Sequence, residues 1–199
     1  MPIGASAGNP VFSEQSRMEL VWPAPPYLRS YREALMRGWS ANNLRPQARD
    51  DELAAIDKNP DAFLRELVNF EGGGAGVKRP DGSVVPRLPG YRKWMWDGEF
   101  CGSIALRWSA SGELPAYCLG HIGYAVVPWK QRRGYATQAL GTILGEARAR
   151  GLPYVEITTS PSNLASQKVI CANGGSLVEE FERLPSLGGG SELRYRISL

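Results

Sequence analysis

The stretch His121–Ala136, HIGYAVVPWKQRRGYA, with TQALGTILGEARAR at 137–150 behind it, decides the fold of this 199-residue chain. An apolar run (Ile122, Tyr124, Ala125, Val126, Val127) stops at Pro128, which lacks an amide donor and cannot continue a central strand. The run therefore reads as a buried strand with a hard end. A basic cluster follows, Lys130, Arg132 and Arg133 with Gln131 among them. Gly134 then opens a segment whose apolar positions Ala136, Leu140, Ile143, Leu144 and Ala147 recur at helical spacing. Between strand and helix lies a turn whose amides point along the first helical turn, where unsatisfied N–H groups and the positive end of the helix dipole attract anions. In outline the junction is a phosphate cradle.

Outward from it, Gly151-Leu152-Pro153 ends the helix, and Tyr154–Thr159 reads as a strand. A further helix runs from Asn163 to about Ala172, closed by Asn173-Gly174-Gly175. Two last strands, near Leu177–Phe181 and Leu193–Ile197, flank a glycine-rich turn at Gly188-Gly189-Gly190. Upstream, Tyr91–Asp97 and Glu99–Trp108 alternate around Asp97-Gly98 and predict a hairpin. Met18–Trp22 reads as a first strand. Helical spacing recurs over Tyr27–Trp39 and from Pro60 through Phe70. Glu71–Gly90 reads as a loop, because GGGAGVK lacks the G-x-x-x-x-G-K-S/T spacing of a phosphate loop; a flap beside a substrate opening is one role for it. Residues 1–17 are expected to be a disordered tail, and 18–199 a single domain.

Composition narrows the function classes. A hydrophobic share of 43% with 22% charged residues is that of a soluble globular protein, and a net charge of +3 suits an anionic ligand without the dense basic patch of a nucleic-acid binder. Cys101, Cys118 and Cys171 are far apart, and His121 is the one histidine, so neither a disulfide framework nor a metal site is expected. No apolar run approaches membrane-spanning length, and the N-terminus lacks the order of a signal peptide. The expectation is a cytoplasmic protein with no nucleic-acid or membrane partner. A homodimer through a sheet edge is compatible with the chain.

Gln131-Arg132-Arg133-Gly134-Tyr135-Ala136 matches the Q/R-x-x-G-x-G/A signature, and with it the chain resembles the GNAT superfamily of acyl-CoA N-acyltransferases. A second landmark, Ser162–Ile170 (SNLASQKVI), resembles the N-x-x-A/S segment that opens the last helix of that family. The likeness covers roughly Tyr91–Phe181 and is closer to uncharacterised bacterial members that carry G-H-I-G-Y in the fourth strand and end the last helix in N-G-G. It implies an α/β (α+β mixed) fold, a twisted mixed sheet with helices on both faces, whose fourth and fifth strands splay to admit the pantetheine arm. It also implies the cofactor, acetyl-CoA. By resemblance, amides near Val126 and Val127 hold pantetheine and polarise the thioester. Gln131, Arg132, Arg133, Gly134, Tyr135, Ala136 and Thr137 hold the diphosphate, while Asn163 and Ser166 contact the pantetheine.

The implied activity is acetyl transfer to a primary amine of a small molecule or peptide by direct attack in a ternary complex. The alternative is an acyl-CoA-binding sensor of the same fold that turns over little. His121 is a candidate general base, since its ordinary pKa lies near neutrality, and equally a hydrogen-bonded strand-end histidine. Glu156 is the second candidate base and also reads as an ion-paired or solvent-facing strand residue; Glu99 is a third. Many members place a tyrosine acid seven residues beyond the asparagine that opens the last helix. This chain has Ile170 there, so Cys171, Tyr124, Tyr135 or a water must serve, or the thiolate leaves unassisted. Trp94, Trp96, Trp108, Tyr117 and Trp129 read either as the lining of an acceptor cleft or as core.

Overall fold

The computed structural model describes residues 17–42 and 44–199; the tail expected over 1–17 lies almost wholly outside the described residues. The hairpin forms around Asp97-Gly98. Its strands are β5 (Gly90–Trp96) and β6 (Phe100–Arg107), and β6 pairs in turn with β7 (Ile122–Val126), all antiparallel. The other edge of β5 is shared: β1 (Glu19–Val21) pairs with Trp94–Trp96, and the two-residue β2 (Val68–Asn69) with Gly90–Tyr91. A second antiparallel sheet has the order β8 (Tyr154–Thr159), β10 (Ser191–Ser198), β9 (Ser176–Glu182).

Period-two alternation decides which helix meets which face. In β5, Tyr91 and Met95 join the core under α4 (Tyr135–Ala149), while Trp94 joins the core under α1 (Pro25–Met36). The helical stripe expected after Gly134 is the buried one. Ala139, Leu140, Ile143 and Ala147 are fully buried against Ile104, Leu106, Val155 and Ile157, each large side chain contributing about 1.5–3 kcal/mol by leaving water. On the opposite face Tyr31, Leu35, Ile56, Phe63 and Leu64, from α1, α2 (Ala48–Lys58) and α3 (Pro60–Glu66), enclose Trp94, Phe100 and Val127. Helices thus lie on both faces.

Three departures from the sequence reading follow from local chemistry. The segment 48–58 is helical although only Ala48 and Ile56 of it are buried; Asp50 and Asp51 in its first turn and Lys58 in its last complement the helix dipole. The helix expected from Pro60 to Phe70 stops at Glu66, and Val68–Asn69 turns onto the edge of β5 instead. Asn59 separates α2 from α3: it is extended (φ −162°), and its side chain accepts from the Ala62 N–H at 2.9 Å. Within 71–90, β3 (Val77–Lys78) and β4 (Val84–Val85) form a short ribbon, and the Arg79 guanidinium donates to Ser186 in the turn between β9 and β10. No helix among the described residues is long and apolar enough to cross a membrane.

Candidate functional site

The two sheets meet at β7 and β8, and they meet at one end only. The His121 N–H donates to the Glu156 carbonyl at 2.8 Å, and the Glu156 N–H donates to His121 Nδ1 at 3.0 Å. Gly120 permits this approach, since a Cβ there would lie 2.8 Å from the Glu156 carbonyl oxygen. Beyond this contact β7 and β8 do not pair: β7 ends one sheet and β8 begins the other. The splay expected between the fourth and fifth strands is thus a gap between β7 and β8 that divides the sheet in two.

Register fixes which amides face the gap. Alternate residues of an antiparallel strand bond to the same neighbour. Arg107 donates to the His121 carbonyl at 2.8 Å and Val127 to the Cys101 carbonyl at 2.9 Å, so the odd-numbered amides from Gly123 to Val127 belong to β6. Those of Tyr124 and Val126 point away from β6, towards β8. The expectation for Val127 is thereby corrected: its amide is taken by Cys101, and its side chain is fully buried in the core beneath α1. Val126 lines the gap, and its carbonyl accepts from the Gln131 side chain at 3.4 Å.

At the mouth of the gap, the chain leaves β7 through a 3-10 turn at Pro128–Lys130 and reverses at Arg132 (φ 63°) and Gly134 (φ 78°), both left-handed. Gly134 adopts this conformation without strain, and a Cβ there would meet nothing within 4 Å; the concavity is open above it. Among the described residues, none of the consecutive amides from Arg132 to Thr137 donates to a backbone or side-chain acceptor outside α4, and the first turn of a helix offers none inside it. This run of outward N–H groups is an anion nest at a helix N-terminus.

The turn is held from behind. Lys130 is buried, with Nζ 3.0 Å from both Asp97 carboxylate oxygens and 2.6 Å from Glu99 Oε1, while the Tyr135 hydroxyl donates to Asp97 at 2.6 Å. Burial raises the Asp97 pKa, but Tyr135 and Lys130 outweigh it and hold the group below the usual carboxylate range. The β5–β6 hairpin turn thus anchors the cradle, and Glu99 is spent on that anchor. Gln131, Arg132, Gly134, Tyr135, Ala136 and Thr137 line the cleft, Tyr135 with its hydroxyl on Asp97, whereas Arg133 is exposed outside it. Asn173 Nδ2 donates to the Thr137 carbonyl at 3.2 Å and ties the end of α5 (Leu164–Ala172) to the start of α4.

His121 and Glu156 lie at the closed end of the gap and do not line the cleft. His121 is buried. Its Nδ1 lone pair is occupied by the Glu156 amide, so the proton of the neutral ring sits on Nε2 and no lone pair remains to act as a base. Burial lowers its pKa. The Glu156 carboxylate is clamped by Arg196 at 2.6 Å and Arg194 at 2.9 Å; burial opposes ionisation, but the two arginines prevail and keep its pKa low. Of the residues expected on α5, Asn163 caps the helix by accepting from the Ser166 N–H at 3.1 Å. Ser166 Oγ lies 2.9 Å from the Tyr124 hydroxyl, and all three line the cleft. Burial pushes the Tyr124 pKa up to about 12 despite the Ser166 hydrogen bond. Ile170 is fully buried core and Cys171 is exposed off the cleft.

The cleft, about 1400 Å³, runs from the cradle through the gap to the face covered by α1–α3. Of the aromatic residues named from sequence only Tyr117 lines it; Trp94 is fully buried, and Trp96, Trp108 and Trp129 pack on the two cores. Trp39, which the sequence did not mark out, lines the far half.

Residues 43–176 match the family model described as acetyltransferase (GNAT) domain. No curated protein matches the sequence. Among solved structures, the microcin C7 self-immunity acetyltransferase MccE in complex with acetyl-CoA and AMP is similar over 92% of this chain and 92% of its own, at 14% identity and a TM-score of 0.57. RimL, a ribosomal L7/L12 alpha-N-protein acetyltransferase in complex with coenzyme A, is similar over 92% of this chain and 94% of its own, at 14% identity and a TM-score of 0.59. The acetyl transferase from Salmonella typhimurium that modifies the N-terminal serine of 50S subunit protein L7/L12 covers 92% and 95%, at 14% identity and a TM-score of 0.58. At such identities the likeness is one of fold.

Proposed function

Given that the chain belongs to the acetyltransferase (GNAT) domain family, we propose that it is an acetyl-CoA-dependent N-acetyltransferase acting on a primary amine by direct attack in a ternary complex. The observation that carries this reading is the run of outward amides from Arg132 to Thr137 beside the gap between β7 and β8. The cradle fits a diphosphate: backbone donors on a concave turn, open space above Gly134, and the charge of Arg132. The gap fits a linear amide-bearing arm, with the amides of Tyr124 and Val126 on one wall and Asn163 and Ser166 on the other. The MccE and RimL structures, which hold acetyl-CoA and coenzyme A, support the same cofactor here.

Bound acetyl-CoA would supply an activated acyl group: the amine nitrogen would bond to its carbonyl carbon, the carbon–sulfur bond would break with its electron pair left on sulfur, and the amine's surplus proton would pass to solvent water in the open cleft. The chain's own residues orient and stabilise. The gap-facing amides of β7 are donors for a carbonyl oxygen that gains negative charge. Tyr124, fully protonated at neutral pH, donates to the Ser166 carbonyl at 3.3 Å; with Ser166 Oγ, 2.9 Å away, donating to its oxygen, it would turn that proton to a departing thiolate. Since a thiol ordinarily titrates near ~8.5, well below Tyr124, the hydroxyl stabilises that anion without giving up its proton. His121 and Glu156 hold the closed end of the gap and act as positioning residues.

The test is calorimetric titration of acetyl-CoA into wild type and into Arg132→Glu combined with Gly134→Asp, followed by an amine screen read by thiol release. Binding that the double change weakens at least tenfold, about 1.4 kcal/mol, supports the reading. No binding by the wild type overturns it. Tyr124→Phe keeps the affinity and lowers turnover; binding without turnover of any amine leaves the sensor.

A further inference from the structure

The far half of the cleft is lined by Arg79, Arg87, Arg92, Arg107 and Arg183 against Glu66 and Glu192 as the acids. Most of these cations are engaged within the fold. Arg92 donates to Glu52 at 2.9 Å and to the Tyr31 hydroxyl at 3.2 Å; Arg87 donates to the carbonyls of Glu66 and Ala75; Arg183 stands 3.6 Å from Glu192; Arg79 meets Ser186. Arg107 is different. It is half-buried, and among the described residues its guanidinium has no carboxylate, hydroxyl or carbonyl partner.

Its position follows from the pleat. Ile104 and Leu106 of β6 point into the core under α4, so Arg107 projects from the opposite face. There it lies across Gly123 of β7: a Cβ on Gly123 would sit 3.0 Å from Arg107 Nη2. Gly123 is adjacent to Tyr124, whose amide and hydroxyl face the gap. A partly desolvated guanidinium without a counter-charge is costly, and its fork of donors matches a carboxylate or phosphate. We propose that Arg107 is the anchor for the acceptor, and that the acceptor is a small molecule carrying a primary amine and a carboxylate or phosphate.

Small size follows from the strap formed by β3 and β4, which lines this half and is fastened to the β9–β10 turn through Arg79 and Ser186. The uncompensated charge of Arg107 has a second effect. Transfer needs a neutral amine, and nearby positive charge disfavours the ammonium form. This accounts for a cleft in which His121 has no lone pair to offer and Glu156 is held by arginines.

The inference rests on the acetyltransferase reading for the identity of the reacting group, but the anion contact is measurable without turnover. Calorimetry is run on the full chain, with and without coenzyme A, using 3-aminopropyl phosphate, 4-aminobutyrate and 3-aminopropanol, which carries the same ammonium but no anion. One of the two anionic amines is expected to bind at least tenfold tighter than the alcohol, and which one does separates phosphate from carboxylate. Arg107→Gln abolishes the preference while coenzyme A binds unchanged, which shows that the variant is folded. Equal or tighter binding of the alcohol, absence of binding by all three, or a preference that survives in Arg107→Gln overturns the proposal. Loss of coenzyme A binding in the wild type overturns the acetyltransferase reading alone.

Discussion

His121 shows how one side chain can be legible as unusual and yet change meaning once its neighbours are known. A lone histidine at the start of the strand that borders a cofactor gap reads as a base. Its Nδ1, however, accepts the Glu156 amide, and its pKa is lowered by burial. Protonation would set an N–H against that amide donor. In the unfolded chain the ring titrates near ~6.5, so between the folded pKa and that value the unfolded state binds more protons and stability rises with pH. The contribution is thus complete above about pH 6.5 and is lost on acidification. Urea unfolding followed from pH 7.5 to 5.5 is expected to fall more steeply for wild type than for His121→Asn, whose side-chain oxygen can accept the same amide without titrating. Equal slopes would refute this. Glu156, whose folded pKa is lowered, loses its contribution only at more acidic pH, below its ordinary carboxylate value, so the two groups separate on the pH axis.

At the scale of elements, the cradle depends on a hairpin that is distant in sequence. Lys130 inside the turn and Tyr135 at the head of α4 both bond Asp97, which sits at the β5–β6 turn. Asp97→Ala leaves Lys130 with Glu99 alone in a largely buried setting and is expected to cost about 3 kcal/mol, the lower end for breaking a buried ion pair. Because the turn loses its support, acetyl-CoA affinity should fall as well; chemical denaturation and calorimetry on the same variant check both, and unchanged affinity would show that the turn is rigid by itself. The elements themselves were unevenly legible. Strand β8 and helices α4 and α5 stand where periodicity, Pro128, Gly151 and Asn163 put them. Helix α2 was missed because its apolar stripe is thin, with only Ala48 and Ile56 buried, and because its polar residues meet partners distant in sequence, such as Glu52 with Arg92. Strand β2 was read as the end of a helix, because Val68 and Phe70 fit a helical spacing as well as an edge strand.

For the whole molecule, the decisive feature is that the two sheets are joined through the β7–β8 contact and the helix α4 packed across both. A cofactor lying between them bridges the halves. At about a hundredfold excess over Kd it would add about 2.7 kcal/mol to stability. Hydrogen exchange should then slow in β7, β8 and the first turn of α4 together; protection confined to the 131–137 turn would argue against the gap as part of the site.

By itself the sequence determined the strand–turn–helix of 121–149, the left-handed turn within it and the second landmark at Asn163, because these rest on local rules: where proline stops a strand, where glycine allows a left-handed turn, how apolar residues repeat along a helix. Tertiary structure decided the rest. Which amides face the gap depends on the register of β7 against β6, the loss of His121 as a base depends on an amide thirty-five positions away, and the isolation of Arg107 among the described residues depends on where their carboxylates came to lie. Such properties belong to pairs of residues brought together across the fold, and no reading along a single segment contains them.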